Sequence, residues 1–311
     1  MIFLKMPSGN LKAHLSVLGA NLLYGANYSI AKKVMPEYIG PFGFIVVRVV
    51  CAAILFFIAG LFIKEKIEAK FFKRLILCAF FGIALNQLLF FWGLSKTAPI
   101  NAALMMTTNP IMVLIMAHFI LNEKISWLKI LGIAIGIAGA STLIVFGKKI
   151  SLTSETAIGD LMVLVNSLSF AVFLIMVKPV MMKYHVVTIM KWTFLFGTFM
   201  VLPFGFHQCM EARWADLDFN LWLAIIYVVL GVTFIAYFLN VVALRHLSPS
   251  VVSFYIYLQP VFATMFSLIF NEGKPNYLQL ISAILIFTGV YLVSKNRTSK
   301  EIVLSISDKK I

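Results

Sequence analysis

The feature that most constrains this chain is an internal duplication, in which landmarks of residues 99–139 recur over residues 249–289. The first copy begins P-I-N-A-A-L-M-M-T-T-N-P at Pro99, and the second begins P-S-V-V-S-F-Y-I-Y-L-Q-P at Pro249. An amide residue, Asn109 or Gln259, directly precedes the second proline of each copy. Each copy then continues through an Asn-Glu pair, a leucine and a glycine at closely matched spacings. We therefore interpret the chain as two copies of one unit.

The composition indicates that these units lie in a membrane. Apolar residues make up 61% of the chain and charged residues 12%, with a mean hydropathy of +0.98. A soluble domain is about half apolar and about a quarter charged. Apolar segments of roughly twenty residues recur along the chain, as helices that cross a hydrocarbon core about 30 Å thick require. The sequence predicts an all-α integral membrane protein.

The apolar segments predict ten transmembrane helices, five in each copy. An odd number of helices per copy places the second copy in the membrane upside down relative to the first, so the copies form two inverted five-helix repeats. We expect the first repeat over residues 14–147, the second over 157–295, and a charged cytoplasmic tail over 296–311. The predicted helices span residues 14–34, 41–63, 71–96, 99–121, 126–146, 157–178, 186–204, 219–244, 249–270 and 276–294.

Prolines occupy two kinds of position in these predicted helices. Pro41, Pro99 and Pro249 open helices, where the missing N–H costs little. Pro110 and Pro260 fall inside predicted helices and are expected to kink them, which frees backbone carbonyl groups. Inverted repeats with interrupted helices are typical of secondary transporters, whose substrate site lies near the membrane midplane between the repeats.

The net charge of +14 reflects membrane orientation rather than nucleic-acid binding. Lysines and arginines occupy short loops and segment ends instead of one face of a folded domain. Their excess predicts that both termini are cytoplasmic, with the protein in the cytoplasmic (inner) membrane. Cys51 and Cys78 fall in apolar segments and Cys209 in a predicted loop, a pattern that indicates neither a metal site nor a disulfide.

Four stretches resemble a known repeat. These are L-L-Y-G-A-N-Y-S-I-A-K from Leu22, L-S-F-A-V-F-L-I-M-V-K from Leu168, and the N-P…N-E-K…G-I-A-G and Q-P…N-E-G…F-T-G-V patterns that close the copies. They resemble the EamA repeat of the drug/metabolite transporter superfamily over nearly all of residues 14–295. The resemblance implies a ten-helix, two-repeat fold. It also implies transport of small metabolites, amino acids or amphipathic toxic compounds, frequently outward.

Polar residues inside the predicted helices are candidates for substrate contact, because they are costly in a membrane. Asn109 and Gln259 either present their amides to a central cavity or hydrogen-bond the carbonyls freed by the following proline. Hydrogen bonding between helices, ordinary packing and interfacial anchoring remain open as alternatives for the others. These other candidates are Asn21, Tyr24, Asn27, Tyr28, Asn86, Trp92, Met105, Asn166, Tyr237 and Asn240.

Arg48 is the one basic residue deep within a predicted helix. Insertion scales place the cost of such an arginine at ~2.5–3.5 kcal/mol. A substrate carboxylate would satisfy it, and so would backbone carbonyls or snorkelling to the membrane surface. The acidic residues fall at helix ends, in loops or in the tail, and Glu123 and Glu272 resemble loop or capping residues. We therefore expect transport that is not coupled to protons through a buried carboxylate.

These observations favour a carrier that moves small metabolites, in particular amino acids or related compounds, outward by alternating access at the repeat interface. Efflux of lipophilic cations and a scaffold role without transport are the alternatives. Paired carboxylates, metal clusters, phosphate-binding loops and nucleophile–base sets are missing from the sequence, so we predict that the protein is not an enzyme and uses no cofactor. The expected partners are a small-molecule substrate and the lipid bilayer, and no motif specifies an oligomer.

Overall fold

A computed structural model describes residues 8–35, 37–97, 99–145, 154–269 and 277–294, and these residues contain helices and no strand. The predicted tail and Glu272 lie outside the described residues. The α-helices are α1 (Ser8–Val34), α2 (Pro41–Gly60), α3 (Ala69–Ala79), α4 (Leu85–Lys96), α5 (Pro99–Met106), α6 (Asn109–Leu121), α7 (Trp127–Val145), α8 (Ser154–Met181), α9 (Val186–Met210), α10 (Phe219–Ile226), α11 (Ala236–Ala243), α12 (Pro249–Phe254), α13 (Leu258–Ile269) and α14 (Tyr277–Ser294).

Two of the membrane-crossing segments contain wide π-helical turns. The segment π1 (Phe80–Ala84) joins α3 to α4, and π2 (Tyr227–Ile235) joins α10 to α11. With these joins, and with α5–α6 and α12–α13 each counted as one interrupted segment, the described residues form ten successive segments. Seven of the described spans are long and apolar enough to cross a membrane, and a shorter apolar helix covers Trp127–Thr142. The predicted multi-pass, all-α fold is confirmed.

The packing of the segments reveals a two-fold relation between the repeats. Helix α1 packs against α11 and α13, and its counterpart α8 packs against α4 and α6. Helices α2 and α9 pack together, as do α7 and α14, and the members of each pair hold matching places in the two repeats. Corresponding helices therefore pack against corresponding partners in the opposite repeat, as a two-fold axis between the repeats requires.

Two hydrogen bonds join residues that correspond in the duplication, and so lie at this axis. The Tyr257 hydroxyl donates to the Thr107 carbonyl at 2.9 Å, across a sequence separation of 150 residues. The Gln87 amide donates to the Tyr237 hydroxyl at 2.5 Å, again across 150 residues. The contact between α7 and α14 repeats the relation, because Gly132 packs against Gly289 while Gly139 packs against Ser282.

The contact between Gly132 and Gly289 leaves no room for side chains. A Cβ on Gly132 would lie 2.9 Å from the carbonyl oxygen of Gly289, and a Cβ on Gly289 would lie 2.7 Å from that of Gly132. Small residues let membrane helices approach backbone to backbone, which strengthens their van der Waals contact. This pair of helices forms a closely packed ridge that carries no part of the site described below.

The helices that contain Pro110 and Pro260 are broken rather than kinked. Helix α5 stops at Met106, and α6 restarts at Asn109 with Pro110 in its first turn. Helix α12 stops at Phe254, a 3₁₀ turn follows over Tyr255–Tyr257, and Pro260 lies in the first turn of α13. Both prolines thus occupy first turns, where a backbone N–H would lack a partner in any case.

Helix α9 extends to Met210, beyond its predicted end at residue 204, so Cys209 belongs to a helix and not to a loop. The extension has a structural role at the start of α2. The Gln208 side-chain oxygen accepts hydrogen bonds from the backbone N–H groups of Phe42 at 2.9 Å and Gly43 at 3.2 Å. Because first-turn N–H groups lack partners within their own helix, Gln208 caps α2.

Candidate functional site

A cavity with an empty volume of about 730 Å³ lies between the two repeats. The first repeat supplies lining residues from α1, α2, α4 and α5, and the second supplies them from α8, π2, α11, α12, the 3₁₀ turn and α13. The lining residues are Asn21, Tyr24, Asn27, Arg48, Asn86, Gln87, Phe90, Phe91, Met106, Asn166, Phe170, Val232, Tyr237, Asn240, Val252, Ile256 and Gln259.

The polar face of α1 forms one wall of the cavity. Asn21, Tyr24 and Asn27 follow one another at three-residue steps and so lie on one side of the helix. The Asn21 side-chain oxygen accepts from the Gln259 amide at 2.9 Å, while its own amide donates to the Val17 carbonyl at 2.8 Å. These bonds fix the α1 wall against the second repeat.

A second contact between the repeats involves two other lining residues. The Asn240 amide donates to the Tyr24 hydroxyl at 3.3 Å and to the Ala236 carbonyl of its own helix at 3.2 Å. The Tyr24 and Tyr237 rings meet edge to face, with centroids 6.5 Å apart. The hydrogen bonds between helices that the sequence left open as an alternative are therefore present, and the residues that make them also line the cavity.

Arg48 projects from α2 into the cavity wall and is 3% exposed. Its Nε donates to the Thr233 hydroxyl at 3.0 Å, and that hydroxyl donates to the Val228 carbonyl inside π2 at 2.8 Å. The guanidinium carbon lies 4.8 Å from the centroid of the Phe91 ring. The Nη1 group is buried and has no hydrogen-bond partner among the described residues. Arg48 therefore does not snorkel, and its guanidinium is only partly satisfied by the described part of the chain.

The turns of π1 supply carbonyl acceptors for neighbouring helices. The Ser169 hydroxyl donates to the Phe81 carbonyl at 2.6 Å, and the Tyr237 hydroxyl donates to the Gly82 carbonyl at 3.3 Å. One turn further along, the Asn166 amide donates to the Asn86 carbonyl at 2.7 Å. Wide turns displace backbone groups from the regular helical ladder, which makes them accessible to such donors. The wall formed by π1 and α4 is thereby fastened to α8 and α11.

Two acceptor atoms in the cavity wall have no donor. They are the side-chain oxygens of Asn27 and Asn166, both buried. For Asn166 the assignment of oxygen and nitrogen is fixed, because its other amide atom faces a carbonyl and must be the N–H donor. Among the described residues that line the cavity there is no carboxylate. Among the described lining residues, the buried polar atoms without a partner are thus one cationic donor and two neutral acceptors.

Asn109 lies outside the cavity, although its counterpart Gln259 lines it. Asn109 is fully buried, and its amide donates to the Ser167 carbonyl of α8 at 2.7 Å. Its hydrogen-bond partner is therefore a carbonyl of the facing helix, not one freed by Pro110. Its role in this structure is to join α6 to α8.

Two further predicted residues, Trp92 and Met105, also stand apart from the cavity. Trp92 is 42% exposed, meets Phe42 edge to face, and has the Lys96 ammonium 5.9 Å from its ring, an arrangement that fits an interfacial anchor. Met105 is partly exposed, and the next residue, Met106, lines the cavity in its place. Tyr28 belongs to α1, but its side chain lies outside the described part of the chain.

Sequence reasoning missed the apolar part of the lining. Phe90 lies one helical turn beyond Asn86 and Gln87 on the same face of α4, so its position was recognisable from theirs. Val252 and Ile256 gave no such signal, because every residue of α12 is buried whichever way it faces. Their orientation follows from the break between α12 and α13.

With the repeats and the cavity defined, the chain can be compared with known proteins. Residues 11–145 and 157–295 each match the model of the EamA-like transporter family. The chain belongs to this family. It is therefore a multi-pass membrane protein of a transporter family within the drug/metabolite transporter superfamily. The two matched stretches coincide closely with the two halves of the duplication.

Relatives with similar sequences agree with this assignment. An uncharacterized transporter of Archaeoglobus fulgidus is 25% identical over 92% of this chain and 98% of its own length. The uncharacterized transporter YyaM of Bacillus subtilis is 24% identical over 92% of this chain and 94% of its own. A probable terminal-alkyne amino-acid exporter of Streptantibioticus cattleyicolor is 24% identical over 73% and 75% of the respective chains. That the relatives are transporters is consistent with the prediction that this chain is not an enzyme.

One crystal structure of another protein shares the fold. It superposes with a TM-score of 0.76 over 93% of this chain and 98% of its own, at 16% sequence identity.

Proposed function

We propose that this protein exports amino acids or closely related zwitterions across the cytoplasmic membrane by alternating access at the repeat interface, with both termini cytoplasmic. The observation that carries the proposal is the unpaired Nη1 of Arg48 in a cavity whose described lining contains no carboxylate.

The carboxylate of the substrate is inferred from Arg48. A buried cation without an anion is costly, and a carboxylate that accepts from a guanidinium N–H forms a short, strong hydrogen bond. Thr233 already holds the Nε atom, and Nη1 has no partner among the described residues. Phe91 packs against the guanidinium and limits the water that competes for it. A substrate carboxylate would therefore satisfy the one cationic side chain in the described lining.

The amino group of the substrate is inferred from Asn27 and Asn166. Their side-chain oxygens are acceptors without donors, and an ammonium group carries three donors and no acceptor. Neutral amide oxygens bind an ammonium group less strongly than a carboxylate does, and Arg48 repels a ligand that carries only positive charge. This selects a zwitterion. Phe90, Phe170 and Ile256 offer apolar contact to its side chain.

The fold supports the carrier mechanism. Inverted repeats with discontinuous helices around a midplane site are the arrangement by which many secondary transporters expose a site alternately to each side. The orientation rests on the excess of basic residues near the predicted cytoplasmic ends. The outward direction rests on the family resemblance and on the relative that is a probable terminal-alkyne amino-acid exporter. Efflux of lipophilic cations receives less support, because the described lining offers a guanidinium where a cation site needs a carboxylate.

The test is the profile of metabolites released by cells that overproduce the protein, compared with an Arg48→Gln variant at matched membrane level. We expect amino acids to accumulate outside the cells and the rate to fall about tenfold or more in the variant, since a hydrogen bond to a charged group contributes about 1.5–3 kcal/mol. Thr288→Ala is the matched control, because Thr288 is exposed and its hydroxyl bonds only its own helix at Ile284. An identical amino-acid profile for parent, variant and empty vector would contradict the proposal.

A further inference from the structure

A second buried polar cluster lies away from the cavity, at the side of the bundle where α1 begins and α14 ends. We call this side the terminal side. Glu123 and Lys129 are fully buried there and form an ion pair. The Ser248 hydroxyl, just before α12, donates to Glu123 Oε1 at 2.9 Å. The sequence suggested a loop or capping role for Glu123, and the residue does lie in the loop after α6. Its side chain is in addition a buried contact between the repeats, which the sequence did not indicate.

The turn after α6 explains how a residue outside a helix becomes buried. Asn122 has a left-handed backbone conformation with φ of 54°, which asparagine tolerates better than most residues. The N–H of Glu123 then donates back to the Ala117 carbonyl at 3.0 Å. This helix-ending turn reverses the chain and points the Glu123 side chain into the bundle. The His118 ring lies 3.0 Å from the Glu123 carbonyl oxygen on the outer face of the same turn.

Lys178 extends the cluster from α8. It is 5% exposed, and its ammonium donates to the carbonyls of Leu244 and, at 3.0 Å, Leu247. These carbonyls follow the end of α11, where backbone acceptors lack helical partners and attract cations. Lys178 thereby holds the corner between α11 and α12, and Ser248 ties the same corner to Glu123.

This corner adjoins a helix that contributes to the cavity wall. Helix α12 is wholly buried and packs against α6, and its residue Val252 lines the cavity. Ile256, in the 3₁₀ turn that follows, lines it too. The hydroxyl of Tyr257 adds a further bond across the repeats, to Thr107. Access from the terminal side requires α12 to move away from α6, which breaks the bond between Ser248 and Glu123.

The matching positions of the other copy lack this chemistry. The duplication pairs Ser248 with Ala98 and Lys129 with Gln279, so a hydroxyl is replaced by a methyl group and an ammonium by a neutral amide. In an inverted repeat these matching positions fall toward opposite sides of the membrane. Glu272, which matches Glu123, lies outside the described residues, so the two copies differ in sequence at two of the three positions.

We propose that Glu123, Lys129 and Ser248 form a gating cluster that holds the terminal side closed and favours the conformation open toward the opposite side. The inference rests on the proposed alternating-access function. The three residues act on access to the site and do not touch the substrate. Weakening the cluster shifts the conformational equilibrium toward opening at the terminal side.

The test measures access directly. In a chain whose three cysteines, Cys51, Cys78 and Cys209, are replaced by serine, Ile256→Cys places a reporter in the cavity wall. Membrane-impermeant maleimide is added to vesicles of either orientation, with a tag at the N-terminus identifying the terminal side. We expect labelling from the terminal side to be at least about fivefold faster in Glu123→Gln than in the parent, within the ordinary range of conformational couplings.

Ser248→Ala is the second variant, for the case in which Glu123→Gln does not fold. It removes the hydrogen bond from Ser248 to Glu123 and leaves the ion pair with Lys129 intact. We expect it to speed labelling in the same direction by a smaller factor. Glu68→Gln is the control, since Glu68 is an exposed carboxylate at the same side and pairs with Lys183. It should leave labelling unchanged.

Unchanged labelling from the terminal side in a folded Ser248→Ala or Glu123→Gln protein would overturn the gating role. The result does not depend on substrate, because maleimide needs none. Faster labelling in these variants, together with no effect of Arg48→Gln on export, would refute the proposed substrate and leave the gate standing.

Discussion

Asn109 and Gln259, the amide residues that precede Pro110 and Pro260, make corresponding contacts in the two repeats, but only one of these contacts borders the cavity. Asn109 reaches from α6 to α8 and donates to the Ser167 carbonyl, whereas Gln259 reaches from α13 to α1 and donates to the Asn21 side chain. The first contact is sealed, while both partners of the second line the cavity. The duplication thus gives the two repeats corresponding helix contacts. Differences between single side chains decide which of these contacts are fully packed and which border the cavity.

The strongest test of this comparison is Asn109→Ala. The substitution removes the buried hydrogen bond from α6 to the Ser167 carbonyl of α8, and such a bond contributes about 0.5–1.5 kcal/mol. We expect a clearly lower melting temperature in detergent and unchanged substrate dependence of transport by the molecules that remain folded. A substrate affinity that falls as far as the stability does would instead place Asn109 at the site.

Gln259→Ala should affect transport more than stability, the reverse of what we expect for Asn109→Ala. Water in the cavity can replace the lost amide at Asn21, because a bridging water is nearly as good a partner as a direct one. We expect a smaller change in melting temperature than for Asn109→Ala. Transport at low substrate concentration should fall about tenfold, a change equivalent to about 1.4 kcal/mol. Concentration-dependent uptake into inside-out vesicles measures this effect, and a loss of stability alone would remove Gln259 from the site.

Asn21→Ser tests the difference between the two contacts further. It gives α1 a serine at the position that matches Ser167 in α8. Gln259 then loses its side-chain acceptor, and a neutral hydrogen bond contributes about 0.5–1.5 kcal/mol. We expect a modest fall in melting temperature and a change in substrate preference, because the polar α1 wall is shortened. Parallel release profiles of the parent and the variant provide the measurement. Identical profiles would show that this wall does not contact substrate.

The smallest effect is expected at the exposed carboxylate of the terminal side. A hydrogen bond from Lys183 holds the pKa of Glu68 below its ordinary value. A carboxyl whose pKa is lowered by folding stabilises the protein above its unfolded pKa, about 4.3, and loses that contribution as the pH falls through the lower folded value. Glu68→Gln should remove this fall in melting temperature at acid pH. It should change the melting temperature at neutral pH very little, because exposed ion pairs contribute little to stability. An effect comparable to that of Glu123→Gln would contradict the distinction between the exposed and buried pairs.

The sequence predicted the fold well, because the signals for it are local. Helix number and approximate ends follow from apolar length, and the polar face of α1 follows from the spacing of Asn21, Tyr24 and Asn27. The break at Pro110 was predicted only as a kink. A proline marks an interruption, but the geometry of the interruption depends on what packs against it.

The parts of the site that were missed depend on contacts between distant segments. Nothing near Asn109 indicates that Ser167 will face it. Glu123 lies in a loop, as its sequence position indicates, but only the turn at Asn122 shows that its side chain points inward against Lys129 and Ser248. A carboxylate at a helix end can therefore still be buried. Transport without proton coupling stays a prediction, and a rate that rises steeply with a pH gradient at fixed voltage would contradict it.

The π-helical segments place backbone groups, and not only side chains, in the walls of the cavity. A π turn holds one more residue than the α turn it replaces, so the two kinds of turn complete about the same rotation with different numbers of residues. Removing a single residue from π1 or π2 would therefore leave the lining residues that follow each segment facing the cavity. It would restore the regular helical ladder and withdraw the displaced carbonyls of Phe81 and Val228, which now accept from Ser169 and Thr233. At these two places an in-frame deletion of one codon would keep every lining side chain and still remove the backbone acceptors that join the cavity walls, so the spacing of the chain is itself part of the site.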